Sequence, residues 1–289
     1  MSVKENENKK KKRIWLRITI ILLSVVLFAC SVLGVLQLGS WYTEKYWKHW
    51  RPTYEKVDIT PLLSKTELTE EDYETLYRQT GLTKLGVDGL FAANRQRKML
   101  DMQEVLFAEH QITADHFAPF TYIEEIETEM PLAVLEDGDI LVSATTRVSW
   151  WRYGHAAIVI NGKSGQILES LSPGVNSAVS YANTFADLAN FLVLRPKMDA
   201  EVRIAAAQYA KENLQDIPYQ MTTGIFTKKY NPEGLKTSQC AHLVWYTYKT
   251  QGYDLDSNGG LIVKPQDIAL SEHVEVVQAF GFDLDTLWS

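Results

Sequence analysis

One stretch of the chain is apolar on every side. From Ile18 to Leu38 it reads ITIILLSVVLFACSVLGVLQL, 21 residues without a formal charge. At 1.5 Å per residue this makes about 31 Å of helix, which matches a bilayer's hydrocarbon core. A buried core helix would keep a polar face, and this stretch has none. The basic run Lys9 to Arg13 precedes it, and Trp41, Tyr42, Tyr46, Trp47 and Trp50 follow it. That order predicts a cytoplasmic positive flank and an outer aromatic belt. The pattern therefore predicts a single-pass membrane protein with a cytoplasmic N-terminus and an extracytoplasmic body after about residue 40. Two other readings compete with it. A cleaved signal peptide has a shorter apolar stretch. A lipoprotein would use Leu27-Phe28-Ala29-Cys30, which loosely resembles a lipobox, but Phe28 is bulky there and the apolar run continues for eight residues past Cys30.

Beyond the membrane the texture changes twice. Residues 41–66, with Pro52 and Pro61, show no period and read as linker and stalk. Thr69 before Glu70, Glu71 and Asp72 predicts a helix start, and Thr80-Gly81 its end. A second helical stretch is expected from Val87 to about Ala108, through Leu90, Phe91, Met99, Leu100, Met102, Val105 and Leu106. From about Met130 short apolar runs predict strands: Asp139–Val142, His155–Ile160 turning at Asn161-Gly162, a return at Gln166–Leu171, and Asn190–Leu194 closed by Pro196. Asp199 should cap a helix to about Leu214, and Ser238 a helix from Cys240 to about Thr250 that Gly252 ends. A helix or turn near Pro265 and a strand at His273–Val277 complete the pattern.

Charge sharpens this division. Residues 1–17 hold seven basic and two acidic side chains, net +5, so the overall charge of −7 leaves −12 on residues 18–289. An acidic body is a poor binder of phosphate backbones, which argues against a nucleic-acid partner. The two cysteines, Cys30 and Cys240, lie in different surroundings and exclude a disulfide framework. No CxxC or HxxxH spacing marks a structural metal site, so no cofactor is expected.

The candidate chemistry gathers at Cys240, expected at the start of a helix, where unpaired backbone N–H groups favour the nucleophilic thiolate and can hold an oxyanion. The competing reading of a lone cysteine is a buried structural thiol. His155, which opens an apolar strand after Trp150, Trp151, Tyr153 and Gly154, is either a core histidine or a base held by that strand. A Cys–His pair needs a third group to orient the ring, and Glu169 on the return strand is within reach across a hairpin. Glu136 and Asp139 are alternatives for that role. Trp150, Trp151 and Tyr153 are cleft-side candidates, and Tyr153 and Gln239 join the candidate substrate-binding residues. His242 is two residues past Cys240, about 200° round a helix, and so reads as a packing or surface histidine rather than the base.

Taken together, GDILV (Gly138–Val142), YGHAAIVI (Tyr153–Ile160), ILES (Ile167–Ser170), PY (Pro218–Tyr219) and CAHLVWYTY (Cys240–Tyr248) resemble the permuted NlpC-type papain-like amidases of the YaeF/YiiX group. The phrase ETLYRQTGL (Glu74–Leu82) is similar to membrane-anchored bacterial members. In that group the histidine strand precedes the cysteine helix, as here. The resemblance implies an α+β, circularly permuted papain-like domain, with an antiparallel sheet and a catalytic helix, behind a transmembrane helix and a short α-helical region. It implies Cys240 as nucleophile, His155 as base, a third polar residue at Glu169, and Tyr219 lining the cleft. The chain departs from it at His242, where many members carry an acidic residue. Cys240-Ala241-His242 is also similar to the Cys-Glu-His of lecithin:retinol acyltransferase-like proteins, whose third residue is usually another histidine rather than a glutamate.

The expected organisation is a basic tail (1–17), a transmembrane helix (18–38), a linker and α-helical region (39–129) and a catalytic domain (130–289). The expected function is a cysteine amidase or peptidase acting on a cell-wall peptide or an acylated small molecule through a thioester. Lipid acyl transfer and a non-catalytic binding module on the same fold are the alternatives.

Overall fold

The computed structural model describes residues 3–46, 49–118 and 121–288; Trp47, part of the expected aromatic belt, lies outside them. The chain forms two units. The first is built on α1 (Val3–Tyr46) and takes in Val148–Trp150, and the second comprises the remainder. Helix α1 is 44 residues long. It is long and apolar enough to cross a membrane, and the side chains of its apolar middle, such as Leu27 and Phe28, are exposed. It does not stop at Leu38. Residues 39–46 continue the helix, so it takes in the first six residues, 41–46, of the stretch read as linker and stalk. Apart from Gly39 this segment holds no breaker, and adding a residue to an existing helix costs far less than nucleating one.

In the second unit a six-stranded antiparallel sheet forms the middle layer. Its strands are β3 (Ile140–Ser143), β6 (His155–Asn161), β7 (Gln166–Glu169), β8 (Ala178–Tyr181), β9 (Phe191–Pro196) and β10 (Val274–Phe280), in the order β10-β9-β3-β6-β7-β8. Alternate residues of the strands other than β8 supply two separate cores. Ile140, Val142, Ala156, Ile158, Leu192 and Leu194 pack toward α5 (Ala200–Asn213) and α6 (Cys240–Thr250). Leu141, Ala157, Val159, Ile167 and Val193 pack toward α2 (Glu70–Thr80), α3 (Lys84–Ala92) and α4 (Lys98–Phe107), where Leu76, Val87, Leu90, Met99 and Met102 are fully buried. Because both faces are covered, β3 and β6 read as continuous apolar runs although the sheet is antiparallel. The molecule is therefore α+β with antiparallel sheets.

Local chemistry accounts for most boundaries. Thr69 and Asp72 form a reciprocal capping box at α2, and Gly81 closes it in the left-handed conformation. Other boundaries depart from expectation. The stretch Val87–Ala108 divides into α3 and α4, with Asn94 at φ 54° between them. A hairpin of β1 (Thr113–Ala118) and β2 (Thr121–Glu125) lies within the region read as helical, and pairs with β4 (Arg147–Val148) and β5 (Trp151–Arg152) in a second sheet. Buried Glu124 of β2 accepts hydrogen bonds from Arg147 Nε at 2.8 Å and Arg152 Nη2 at 2.7 Å, which ties β2 to the segment just ahead of His155. Asp199 occupies the N-cap position of α5, but its side chain accepts no capping hydrogen bond.

Candidate functional site

His155 opens β6 because Gly154 precedes it. Gly154 has φ +75°, and a Cβ there would lie 2.3 Å from the Ser143 carbonyl oxygen, so the tight entry to the strand requires glycine. Across the β6–β7 hairpin the register sets Ala157 opposite Glu169, which makes His155 its diagonal rather than its direct neighbour. Both side chains lie on the same face of the sheet, and they are long enough to close that gap. His155 Nε2–H donates to Glu169 Oε2 at 2.6 Å, and Ser180 Oγ donates to the other carboxylate oxygen. The Phe185 ring stacks on the imidazole, 5.6 Å between centroids and 22° between planes.

Cys240 is the first residue of α6 and is 5% exposed. It is brought to the histidine from the other side of the strand end, since α6 packs along β6. The N-cap is Gln239, one residue later than the expected Ser238. Gln239 Oε1 accepts from the Ala241 N–H at 3.0 Å and from the Cys240 thiol at 3.4 Å, while its Nε2 donates to the Val263 carbonyl. Gln239 lines the site, but its amide is committed to holding the helix start. Tyr219 is placed by the chain beside that start: Ser238 N–H donates to the Pro218 carbonyl at 3.0 Å and Gln220 N–H to the Ser238 carbonyl at 2.6 Å.

The thiol and the imidazole line the same cavity, and each bears on the other electrostatically. With Nε2 given to Glu169, the ring nitrogen left for Cys240 is Nδ1. Burial disfavours a charged ring, but the hydrogen bonds and charges of Cys240 and Glu169 outweigh it and push His155 from its ordinary 6.5 up to about 10. Burial likewise works against a charged Glu169, and its bonds to His155 and Ser180 hold it below the usual carboxylate range. The site thus brings a thiol, an imidazole and a carboxylate together in one cavity wall.

The chain is similar to a bacterial protein of unassigned activity. It is 29% identical over 127 residues to the "Uncharacterized protein YycO" of Bacillus subtilis (strain 168), a match taking in 43% of this chain and 49% of that protein. The chain therefore spans about half the length of the curated relative it matches. No family model matches the chain, and no solved structure matches it.

The alternatives to Glu169 are occupied elsewhere. Asp139 accepts a bidentate pair from Arg195, at 2.9 and 2.8 Å, and Glu136 pairs with Arg195 and Arg203. Neither orients His155. His242 is fully buried: its Nε2–H donates to the Lys229 carbonyl at 2.7 Å, and its Nδ1 lies 3.0 Å from Ser238 Oγ. Burial pulls its pKa down to about 4, so the ring is neutral and Ser238 donates to it. It braces α6 rather than joining the cleft.

Two cavities flank the thiol, about 270 Å³ and about 250 Å³, and share Tyr153, Tyr219 and Cys240 as their common wall. The first contains His155 and Glu169 and extends past Ile123, Glu125, Phe185 and Leu188. The second extends past Trp151, Met221, Ile262, Val263 and Pro265. Trp151 and Tyr153 thus line the cleft as the sequence suggested, whereas Trp150 lines neither cavity. Phe185, Met221 and Ile262 carry no motif and could not be picked out from sequence. Among the described residues no group of three or more His, Cys, Asp or Glu is placed to hold a metal ion.

Proposed function

We propose that this chain is a membrane-anchored cysteine hydrolase of the permuted papain-like, NlpC-type kind, cleaving an amide through a thioester. The observation that carries the reading is the His155 ring, bonded at 2.6 Å to Glu169 through Nε2 and sharing a cavity wall with the Cys240 thiol, at the meeting point of two cavities. Cys240 Sγ attacks the carbonyl carbon with its proton already held on the His155 ring. Glu169 holds the tautomer and stabilises the imidazolium. The Cys240 N–H, which has no acceptor within its own helix, meets the oxyanion. His155 then protonates the departing amine, and water hydrolyses the thioester with His155 as base. The order of the site, histidine strand before cysteine helix, supports the permuted arrangement. A cell-wall peptide and an acylated small molecule both satisfy this chemistry. The apolar middle of α1 with its basic N-terminal flank supports a catalytic domain outside the membrane and an N-terminus in the cytoplasm.

The test is hydrolysis of a panel of peptide and acyl amides by the full chain in detergent. Cys240→Ser and His155→Ala should each fold and each lose at least about 10³-fold in kcat/KM, because members of a catalytic unit fail together. Activity retained by Cys240→Ser would defeat the mechanism. Acyl transfer to an added amine or alcohol outrunning hydrolysis would assign the site to a transferase instead, and a pure binding module would show neither reaction.

A further inference from the structure

The two cavities beside Cys240 differ in chemistry, and His155 lies in only one of them. In the proposed reaction the imidazole must hand its proton to the leaving group, so the leaving group occupies the side that His155 lines. That side carries polar groups in Glu125, Thr146 and Thr184. The group that stays on sulfur as the thioester must then extend the other way. There the wall is Trp151, Met221, Ile262, Val263 and Pro265, and the Gln239 amide in it is already bonded to Val263, Ala241 and the thiol. Among its lining residues Lys264 alone carries a charge, and its Nζ reaches back to Asp267 at 3.7 Å. The apolar surface continues outward: Leu261, next to Ile262, and Phe226 are 67% and 79% exposed, and Gly224 seats its loop directly against the Leu261 carbonyl. A peptide on this side would find few partners for its amides, whereas a hydrocarbon chain would lose only water.

We propose that the cavity walled by Met221, Ile262 and Val263 is an acyl-chain subsite, and that the substrate is an aliphatic N-acyl amine whose polar amine part leaves on the His155 side. The proposal rests on the hydrolase reading above and goes further by fixing the direction and the acyl class of the substrate.

The experiment uses 4-nitrophenyl acetate, hexanoate and decanoate with the full chain in detergent. In each, Cys240 Sγ forms a bond to the ester carbonyl carbon, its proton being held on His155, and the bond to 4-nitrophenolate breaks. The acyl group therefore remains on the enzyme and defines its own side of the cleft. Acylation is followed by nitrophenolate release and located by mass spectrometry of an acid-quenched digest. The rate constant for acylation of Cys240 should rise about tenfold or more from acetate to decanoate, the gain expected from burying two or more methylenes. Met221→Asp, at an exposed position that tolerates a charge in the fold, should remove that length dependence, while Leu171→Asp on the His155 side should keep it. Cys240 acylated at rates indifferent to chain length would overturn the subsite and leave the hydrolase reading standing. So would a length dependence lost in Leu171→Asp and kept in Met221→Asp. No acylation of Cys240 by any ester would overturn both.

Discussion

Replacing Glu169 with Gln keeps the side chain's shape while removing the charge that meets His155 Nε2–H at 2.6 Å. His155 is raised from 6.5 to about 10 in the folded protein, against burial, by Cys240 and Glu169. A raised folded pKa means that the stabilisation is whole below pH 6.5 and is lost as pH rises through about 10. Glu169, held low by the same contact, adds stability above its ordinary 4.5 that is lost as pH falls below it. The wild type should therefore melt well above Glu169→Gln near pH 6, and the gap should close between pH 6.5 and 10. Parallel melting curves over that range, measured by circular dichroism, would remove the pair from the account. Cys240, His155 and Glu169 were legible in the sequence because one cysteine lay outside the apolar segment and a turn at Asn161-Gly162 fixed a hairpin. The diagonal offset between His155 and Glu169 was not, since a bulge between Val159 and Asn161 shifts the register. The burial of His242 was also hidden, because the groups that satisfy its ring nitrogens, the Lys229 carbonyl and Ser238, come from outside its helix.

At the scale of elements, α6 depends on its first residues. The Gln239 side chain caps the Ala241 N–H, accepts from the thiol and ties to Val263. Gln239→Ala removes all three contacts. Its loss should cost about 1–2 kcal/mol of unfolding free energy in urea, the range of an ordinary N-cap, and should lower the rate of Cys240 acylation as well. A change in neither would show that the cap does not position the thiol. Ser238 looked like the cap because serine is a preferred N-cap residue and glutamine is not; burial gives glutamine the role here while serine serves His242. Two further elements were invisible for related reasons. Strand β8 is an exposed edge without an apolar face, and the α3–α4 break falls at Asn94 with no proline or glycine to announce it. Helix α2, by contrast, was readable to the residue, because Thr69, Asp72 and Gly81 are the standard chemistry of helix ends.

At the scale of the whole molecule, the sequence made the long apolar helix plain and left the three-layer packing of the body obscure. Sequence patterning detects that β3 and β6 are apolar on both faces, but which helices cover each face is decided by long-range contacts such as those of Leu76 and Met99 with the sheet. The apolar helix carries a prediction of its own. Protease added to intact cells should digest the body and leave a protected fragment of about 40 residues, one span with its basic flank. A lipid-modified N-terminus at Cys30 would instead make the chain a lipoprotein, and protection of the whole body would reverse the orientation.

The central claim is that Cys240 is a nucleophile driven by His155, and the acyl-enzyme is its most direct witness. The full chain is mixed with 4-nitrophenyl acetate, quenched in acid within the first turnover, digested, and the acetylated peptide identified by mass spectrometry. The account predicts one acetyl group on the peptide carrying Cys240, formed in step with a burst of nitrophenolate and absent from His155→Ala. Acetylation at the same rate in His155→Ala, or a burst with Cys240 unmodified, would contradict it.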